Sequence, residues 1–234
     1  MPVFNESEGI TDFICELNYS LSQFSPIFII IDDKSNDMTT NEIERLQENT
    51  EINIKLFKNS QNLGHGKSTI RAITEGINQA DLVITIDGDG QFYGDDVRRG
   101  LELFMRSKID ILEGVRACRT DPWYRKLITF SLKYLVLIKS GKSCRDANTP
   151  LRYYRSNSLE KLVNRVPKNT LIPNLYVSII SRRSRLAIGN FEVRSRDRRG
   201  RVKSGSTWGK TRTLIPNSRL LRFILCAFKE FIKI

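Results

Sequence analysis

The chain is short of the residues that would place it in several common classes. It has four cysteines and one histidine in 234 residues. Cys15, Cys118, Cys144 and Cys226 are scattered and form no Cys-x-x-Cys pair, so no zinc-ligand set is expected. Free, buried thiols in a reducing cytosol are the expected state. No apolar run reaches the ~18 residues of a membrane span. The opening Met1-Pro2-Val3-Phe4-Asn5-Glu6 lacks the basic stretch and apolar core of a secretory leader. Internal repeats and low-complexity tracts are also missing.

What remains is ordinary globular composition, 40% hydrophobic, in a chain long enough for one sizeable core. The charge is unevenly spread. Residues 1–110 hold 10 Lys+Arg against 19 Asp+Glu, a net −9, whereas residues 111–234 hold 28 against 7, a net +21. The acidic part suits a cation. The basic part suits nucleic acid, an anionic membrane surface or a phosphorylated substrate.

The most informative stretch is Leu82-Val83-Ile84-Thr85-Ile86-Asp87-Gly88-Asp89-Gly90-Gln91. Its apolar start predicts a short buried strand and its glycines the turn that ends it. Residues i and i+2 of a strand point the same way, so Asp87 and Asp89 can aim at one point, with the amide oxygen of Gln91 just beyond. Hard oxygens at a strand end suit Mg²⁺ or Mn²⁺ shared with substrate phosphates. A solvated acidic turn is the plainer reading of an Asp-x-Asp taken alone.

Around it, the patterning alternates. Helices are expected over 7–23 (capped by Ser7 or Asn5), 39–48, 67–78 and 95–107, and strands over 26–32, 52–57, 82–86 and 109–115. This predicts an α/β fold, a mostly parallel sheet covered on both faces, with ligands at the carboxyl ends of the strands. Asp32-Asp33 and Asp87-Asp89 both fall at that edge. Further helices are expected over 122–139, 157–164 and 174–183, a strand over 186–193, a basic loop over 194–212 and an amphipathic helix over 219–234. The chain divides into a domain over 1–212 and a terminal segment, 213–234, that carries this helix. Gly64-His65-Gly66-Lys67-Ser68 is not a phosphate-cradling P-loop, which would need glycine where Gln61 stands. His65 reads as a surface loop residue.

Several motifs, taken in order, resemble those of family 2 glycosyltransferases of the GT-A fold, nearest the dolichyl- and polyprenyl-phosphate glycosyltransferases. Pro2-Val3-Phe4-Asn5-Glu6 resembles the opening Pro-x-Tyr-Asn-Glu. Ile31-Asp32-Asp33-Lys34-Ser35-Asn36-Asp37 resembles Asp-Asp-Gly-Ser-x-Asp, and Asn62-Leu63-Gly64-His65-Gly66-Lys67 resembles Asn-x-Gly-Lys-Gly. Asp87-Gly88-Asp89-Gly90-Gln91 resembles Asp-Ala-Asp-x-Gln. Arg116 sits where the family has Gly-x-Arg, and Asp146 to Arg152 resembles Asp-x-x-x-x-Phe-Arg.

The resemblance implies roles. Pro2, Phe4, Glu6, Ile31 and Asp33 would line a nucleoside pocket, and Gly88 and Asp89 would meet the nucleotide sugar. Asp87, Asp89 and Gln91 would hold Mg²⁺ or Mn²⁺ on the diphosphate of a UDP- or GDP-sugar. Asp89 would thereby serve the chemistry, offsetting charge on the departing diphosphate. Arg116 and Lys203, with neighbours in the 194–203 loop, would clamp phosphates. The reaction would invert the anomeric centre. A hydroxyl acceptor would need a base, for which Asp146 is the candidate, whereas a phosphate acceptor needs none. Asp32-Asp33 capping a turn, Arg116 paired with a surface carboxylate, Asp146 bonded within its own loop and a structural Arg152 are the competing readings.

The family starts with a central hydrophobic strand before the proline. Here only Met1 precedes Pro2, so either the true start lies upstream or the sheet lacks that strand. Phe4 replaces the usual tyrosine. Asp197 replaces an arginine three before Gly200, which leaves Arg196 or Arg198 to stand in.

The basic second half, the apolar helix 122–139 and the terminal helix, with Phe223, Ile224, Phe228 and Phe231, fit an enzyme lying on the cytoplasmic face of a membrane with a polyprenyl phosphate as acceptor. A terminal helix packed on the protein's own core fits equally. An inactive or truncated relative that binds nucleotide or membrane is the alternative. Nucleic acid is not an expected partner, because the basic loop has only Trp208 as an interleaved aromatic.

Overall fold

The computed structural model describes residues 1–117, 123–199, 226 and 230–232. Its strands are β1 (Pro2–Val3), β2 (Phe28–Asp32), β3 (Ile54–Lys58), β4 (Leu82–Thr85), β5 (Ile111–Arg116), β6 (Arg152–Arg155) and β7 (Ile188–Val193). Its helices are α1 (Ile10–Leu21), α2 (Thr39–Asn49), α3 (His65–Ile77), α4 (Gly94–Arg106), α5 (Trp123–Ser140), α6 (Ser156–Val163) and α7 (Pro173–Arg183).

The strands form two sheets, ordered β1-β2-β3 and β4-β6-β5-β7. β1, β2 and β3 are parallel, as are β5 and β7, while β6 runs antiparallel between β4 and β5. The expected α/β layering is therefore present. β1 pairs with β2 through Pro2–Ile31 and Val3–Asp32. Met1 N–H donates to Ile29 C=O, and Gly88 N–H donates to Pro2 C=O at 3.3 Å, bringing the end of β4 against β1. Below this contact a cavity of about 490 Å³ opens between β2 and β4, walled by Ile27, Ile29, Ile73, Val83 and Ile84.

β6 was not anticipated. Its Arg-Tyr-Tyr-Arg has no apolar alternation, because Arg152, Tyr153 and Tyr154 are all buried in a strand covered on both faces. The Tyr153 hydroxyl donates to Val97 C=O, and Arg152 spends its donors on Asn174 C=O, Ala147 C=O and Ser178 Oγ. Apart from Arg152 Nε, which only approaches Glu113 at 3.7 Å, polar tips bonded inside the protein make such a strand look like a loop in the sequence. Arg152 is structural, as one reading held.

Smaller corrections concern ends and thiols. α1 starts after Gly9 with no side-chain cap. Ser7 N–H instead donates to Asp37 and the Asn5 amide oxygen accepts from Asn36 N–H, so neither residue caps the helix. α3 starts two residues earlier than expected, at His65, because Gly64 takes φ +86° and turns the chain into the helix. Cys144 is buried, but Cys15 and Cys226 are exposed, so the buried-thiol expectation holds for one described cysteine.

Two apolar clusters fill the body. One packs α1 and α4 on the sheet through Ile10, Phe13, Leu17, Val97 and Phe104. The other joins α3, α6 and α7 through Ile73, Leu159, Leu162, Leu175 and Ile179, and includes Phe231. Glu230 accepts from Thr170 Oγ1 and Leu171 N–H. Phe231 therefore faces the protein's own core and not a membrane. Phe223, Ile224, Phe228 and the rest of the expected terminal helix lie outside the described residues.

Candidate functional site

Three strand ends meet at one edge. Parallel pairing of Val3 with Asp32 levels the carboxyl ends of β1 and β2, and the Gly88–Pro2 bond brings in β4. Gly88 has to be small here, since a Cβ would sit 2.4 Å from Val3 Cγ1. Gly88 thus serves the contact between β1 and the end of β4.

The two aspartates at the end of β2 separate in role. Asp32 accepts from Ser35 Oγ at 2.5 Å and Thr40 Oγ1 at 3.0 Å, tying the turn to the first turn of α2. Asp33 accepts from Leu63 N–H and Gly64 N–H, each at 2.8 Å, and from Asn59 Nδ2 at 2.7 Å. Its carboxylate anchors the 59–64 loop beside the cleft, a duty the motif alone did not reveal. Ile31 is fully buried between β1 and β3 and backs the cleft instead of lining it. Pro2 and Phe4 are half-buried at the edge.

The charged centre comprises Glu6, Asp87 and Asp89. Burial, reinforced by Asp87, pushes the Asp89 carboxyl up to about 6. Burial also pushes Glu6 up to about 7, against the pull of the Arg198 guanidinium and with Asp89 and Asp87 adding to the rise. His65, at the start of α3, brings Nε2 within 3.7 Å of Asp87 Oδ1 and is part of the site, not a bystander. Gln91 N–H closes an Asx turn on Asp89 Oδ1 at 3.2 Å.

This donor set fits a hard divalent cation. Paired, partly buried carboxylates that repel one another are what such an ion relieves. Among the described residues no three His, Cys, Asp or Glu side chains gather to hold an ion unaided. An ion here would draw its remaining oxygens from the Gln91 amide, water or a ligand phosphate.

Two strands away, the Arg116 fork at the end of β5 closes on Asp146, Nε to Oδ2 at 2.9 Å and Nη2 to Oδ1 at 3.2 Å. Arg152 fixes the same loop through Ala147 C=O. Asp146, the candidate base, is thus engaged in orienting a guanidinium. Lys203 lies outside the described residues. The sequence reading also missed Glu16, which accepts from Gly94 N–H at 2.7 Å and from Arg196 and Arg199. On an amphipathic helix it looked like one more solvent-facing carboxylate, with no local signal to set it apart.

Carboxylates collected at the carboxyl ends of strands in a helix-covered α/β sheet are the layout of the GT-A glycosyltransferase fold, and solved structures of that fold superpose on the chain. Glucosyl-3-phosphoglycerate synthase from Mycobacterium tuberculosis, in a complex with phosphoglyceric acid, matches at TM-score 0.64 and 18% identity, over 96% of this chain and 78% of that one. A mannosyltransferase from Pyrobaculum calidifontis, in complex with GDP-Man and Mn²⁺, matches at TM-score 0.61 and 14% identity, over 100% of this chain and 63% of that one. The chain belongs to glycosyl transferase family 2, whose model matches residues 1–163.

Among characterised relatives, the undecaprenyl-phosphate 4-deoxy-4-formamido-L-arabinose transferase of Serratia proteamaculans is 28% identical over 179 residues, 75% of this chain and 53% of that protein. The Proteus mirabilis transferase of the same name is 28% identical over 199 residues, 82% of this chain and 59% of that protein. The chain spans between about half and three fifths of the length of these relatives.

Proposed function

We propose that the chain is the donor-binding and transfer core of an inverting glycosyltransferase, which moves a sugar from a UDP- or GDP-sugar to a polyprenyl phosphate at a membrane surface. The observation that carries this is the convergence of Glu6, Asp87 and Asp89 at the ends of β1 and β4 in a family 2 chain. Asp87, Asp89 and Gln91 would hold Mg²⁺ or Mn²⁺, which supplies charge to offset the departing nucleoside diphosphate. Pro2, Phe4, Glu6 and the loop held by Asp33 form the nucleoside end. Solved structures of the fold are described with Mn²⁺ and UDP-glucose in one case and Mn²⁺ and GDP-Man in another, which supports a metal-bound donor and leaves both bases open.

Arg116 supports a phosphate acceptor. Its guanidinium, oriented by Asp146 at the same sheet edge, suits a phosphate oxygen. A phosphate acceptor is already a nucleophile, so Asp146 positions Arg116 and removes no proton. The names of the relatives support a polyprenyl phosphate. No described helix is long and apolar enough to cross a membrane. α5, however, exposes Phe130, Tyr134, Leu137 and Ile138 along one face. With the basic second half, this face supports peripheral contact with an anionic, cytoplasmic membrane surface.

A thermal-shift titration with UDP and GDP, with and without Mn²⁺, tests the donor site. A metal-dependent stabilisation that Asp89→Ala abolishes is expected, and none in the parent chain refutes the reading. Turnover with a panel of nucleotide sugars and a polyprenyl phosphate then separates an active enzyme from a binding-only relative.

A further inference from the structure

The chain leaving β7 doubles back over the acidic turn that follows β4. Phe92 and Ser195 form an antiparallel bridge. Arg196 N–H donates to Gln91 C=O and Arg199 N–H to Asp89 C=O, each at 3.0 Å. The approach is close because glycines lie beneath it. A Cβ on Gly90 (φ +70°) would come within 2.8 Å of Arg199 Cγ, and one on Gly9 within 2.5 Å of Arg199 Cβ. Residues 194–199 therefore form a strap seated on the residues proposed to hold the cation.

The strap's side chains carry the charge that the site lacks. Arg196 and Arg199 both reach Glu16, and Arg194 pairs with Asp96. The Arg198 fork closes on both oxygens of Glu6. Its charge also acts on Asp89, and the charges of Asp87 and Asp89 act on Glu6. A guanidinium thus stands among carboxylates that would otherwise repel one another.

From this arrangement we infer that Arg198 is the resident counter-ion of the Glu6–Asp87–Asp89 cluster, and that a divalent cation arriving between Asp87 and Asp89 displaces it and releases the strap. The inference rests on the cation site proposed above. A doubly charged ion in direct contact with oxygen outcompetes one delocalised charge, and once bound it repels the guanidinium. Arg198 keeps 22% of its side chain exposed, although Glu6 is buried, so the guanidinium has a solvated path away from the pair. Once released, the Arg198 fork matches the oxygens of a diphosphate. The strap would then hold the cleft closed until cation and donor arrive.

Mn²⁺ alone is the probe. Its affinity for the parent chain and for Arg198→Gln is measured by calorimetry, and hydrogen exchange of the Arg196 and Arg199 amides is followed by mass spectrometry. If Arg198 competes with the ion, Arg198→Gln binds Mn²⁺ about tenfold more tightly, and saturating Mn²⁺ strips protection from both amides in the parent. A phosphate clamp with no latch function would leave Mn²⁺ affinity unchanged in Arg198→Gln. Unchanged or weaker binding, or amides still protected with Mn²⁺ bound, overturns the latch while leaving the cation site standing. Absence of Mn²⁺ binding in both proteins overturns the latch, and the metal-dependent shift with UDP or GDP then decides the cation site separately. Arg194→Gln, whose target is Asp96, outside the Glu6–Asp87–Asp89 cluster, controls for loss of strap charge and should match the parent.

Discussion

The arginines of the second half occur in two settings, and the contrast separates scaffold from machinery. Arg152 and Arg182 are buried around Glu113, with Arg182 on both carboxylate oxygens at 2.7 and 3.2 Å and Arg152 at 3.7 Å. Arg182 also donates to Ser143 C=O and Ser178 C=O. These charges cannot part without leaving an ion stranded in the core. Arg196, Arg198 and Arg199 meet Glu16 and Glu6 at the sheet edge, where each guanidinium keeps 19–26% of its side chain exposed, so water can take over from the arginine, although Glu6 itself is buried. The same residue type makes a permanent joint in one place and an exchangeable one in the other, and burial decides which.

The largest expected effect lies inside. Glu113→Ala strands two guanidinium groups and should cost about 3–5 kcal/mol in urea unfolding. Asp146→Ala, at the largely buried Arg116 pair, should cost about 3 kcal/mol, the lower end of the range for breaking a buried pair. It should raise the acceptor KM without touching the Mn²⁺-dependent nucleotide shift; loss of that shift would place Asp146 in the donor site instead.

A third test uses pH. Glu6 has a folded pKa raised from 4.5 to about 7, so the folded state holds its proton longer than the unfolded chain does. Its contribution to stability is full below about 4.5 and is lost as pH rises towards about 7. Melting temperatures across that window should fall in the parent, and Glu6→Gln should flatten the slope. An equal slope in both would show that Glu6 is not held as described. The smallest effect is expected at the rim, where Glu16→Ala should cost within about 1 kcal/mol. If it costs as much as Glu113→Ala, the distinction between joint and latch fails.

Much of the fold was legible because most of its elements obey simple periodicities. The apolar runs of β2, β4 and β5 and the amphipathic faces of α1 and α4 stand out in isolation. β6 was not legible, because its tyrosines and arginines satisfy their polar tips with groups remote in sequence, such as Val97 C=O and Asn174 C=O. The Asp-x-Asp turn and its family were readable from local motifs. The duty of Asp33 was not, since its partners at Leu63 and Gly64 become neighbours only when β2 and α3 pack together. The pairing of Asp146 with Arg116 was not legible, because a motif names a residue and not its neighbour.

Sequence alone determined the alternating α/β order, the acidic strand ends and the charge imbalance between the halves, all properties of residues within a few positions of one another. Tertiary structure alone decided which charges meet. Placing Arg198 on Glu6 joins positions 192 residues apart, and Coulomb attraction depends on distance and burial in space, neither of which is written along the chain.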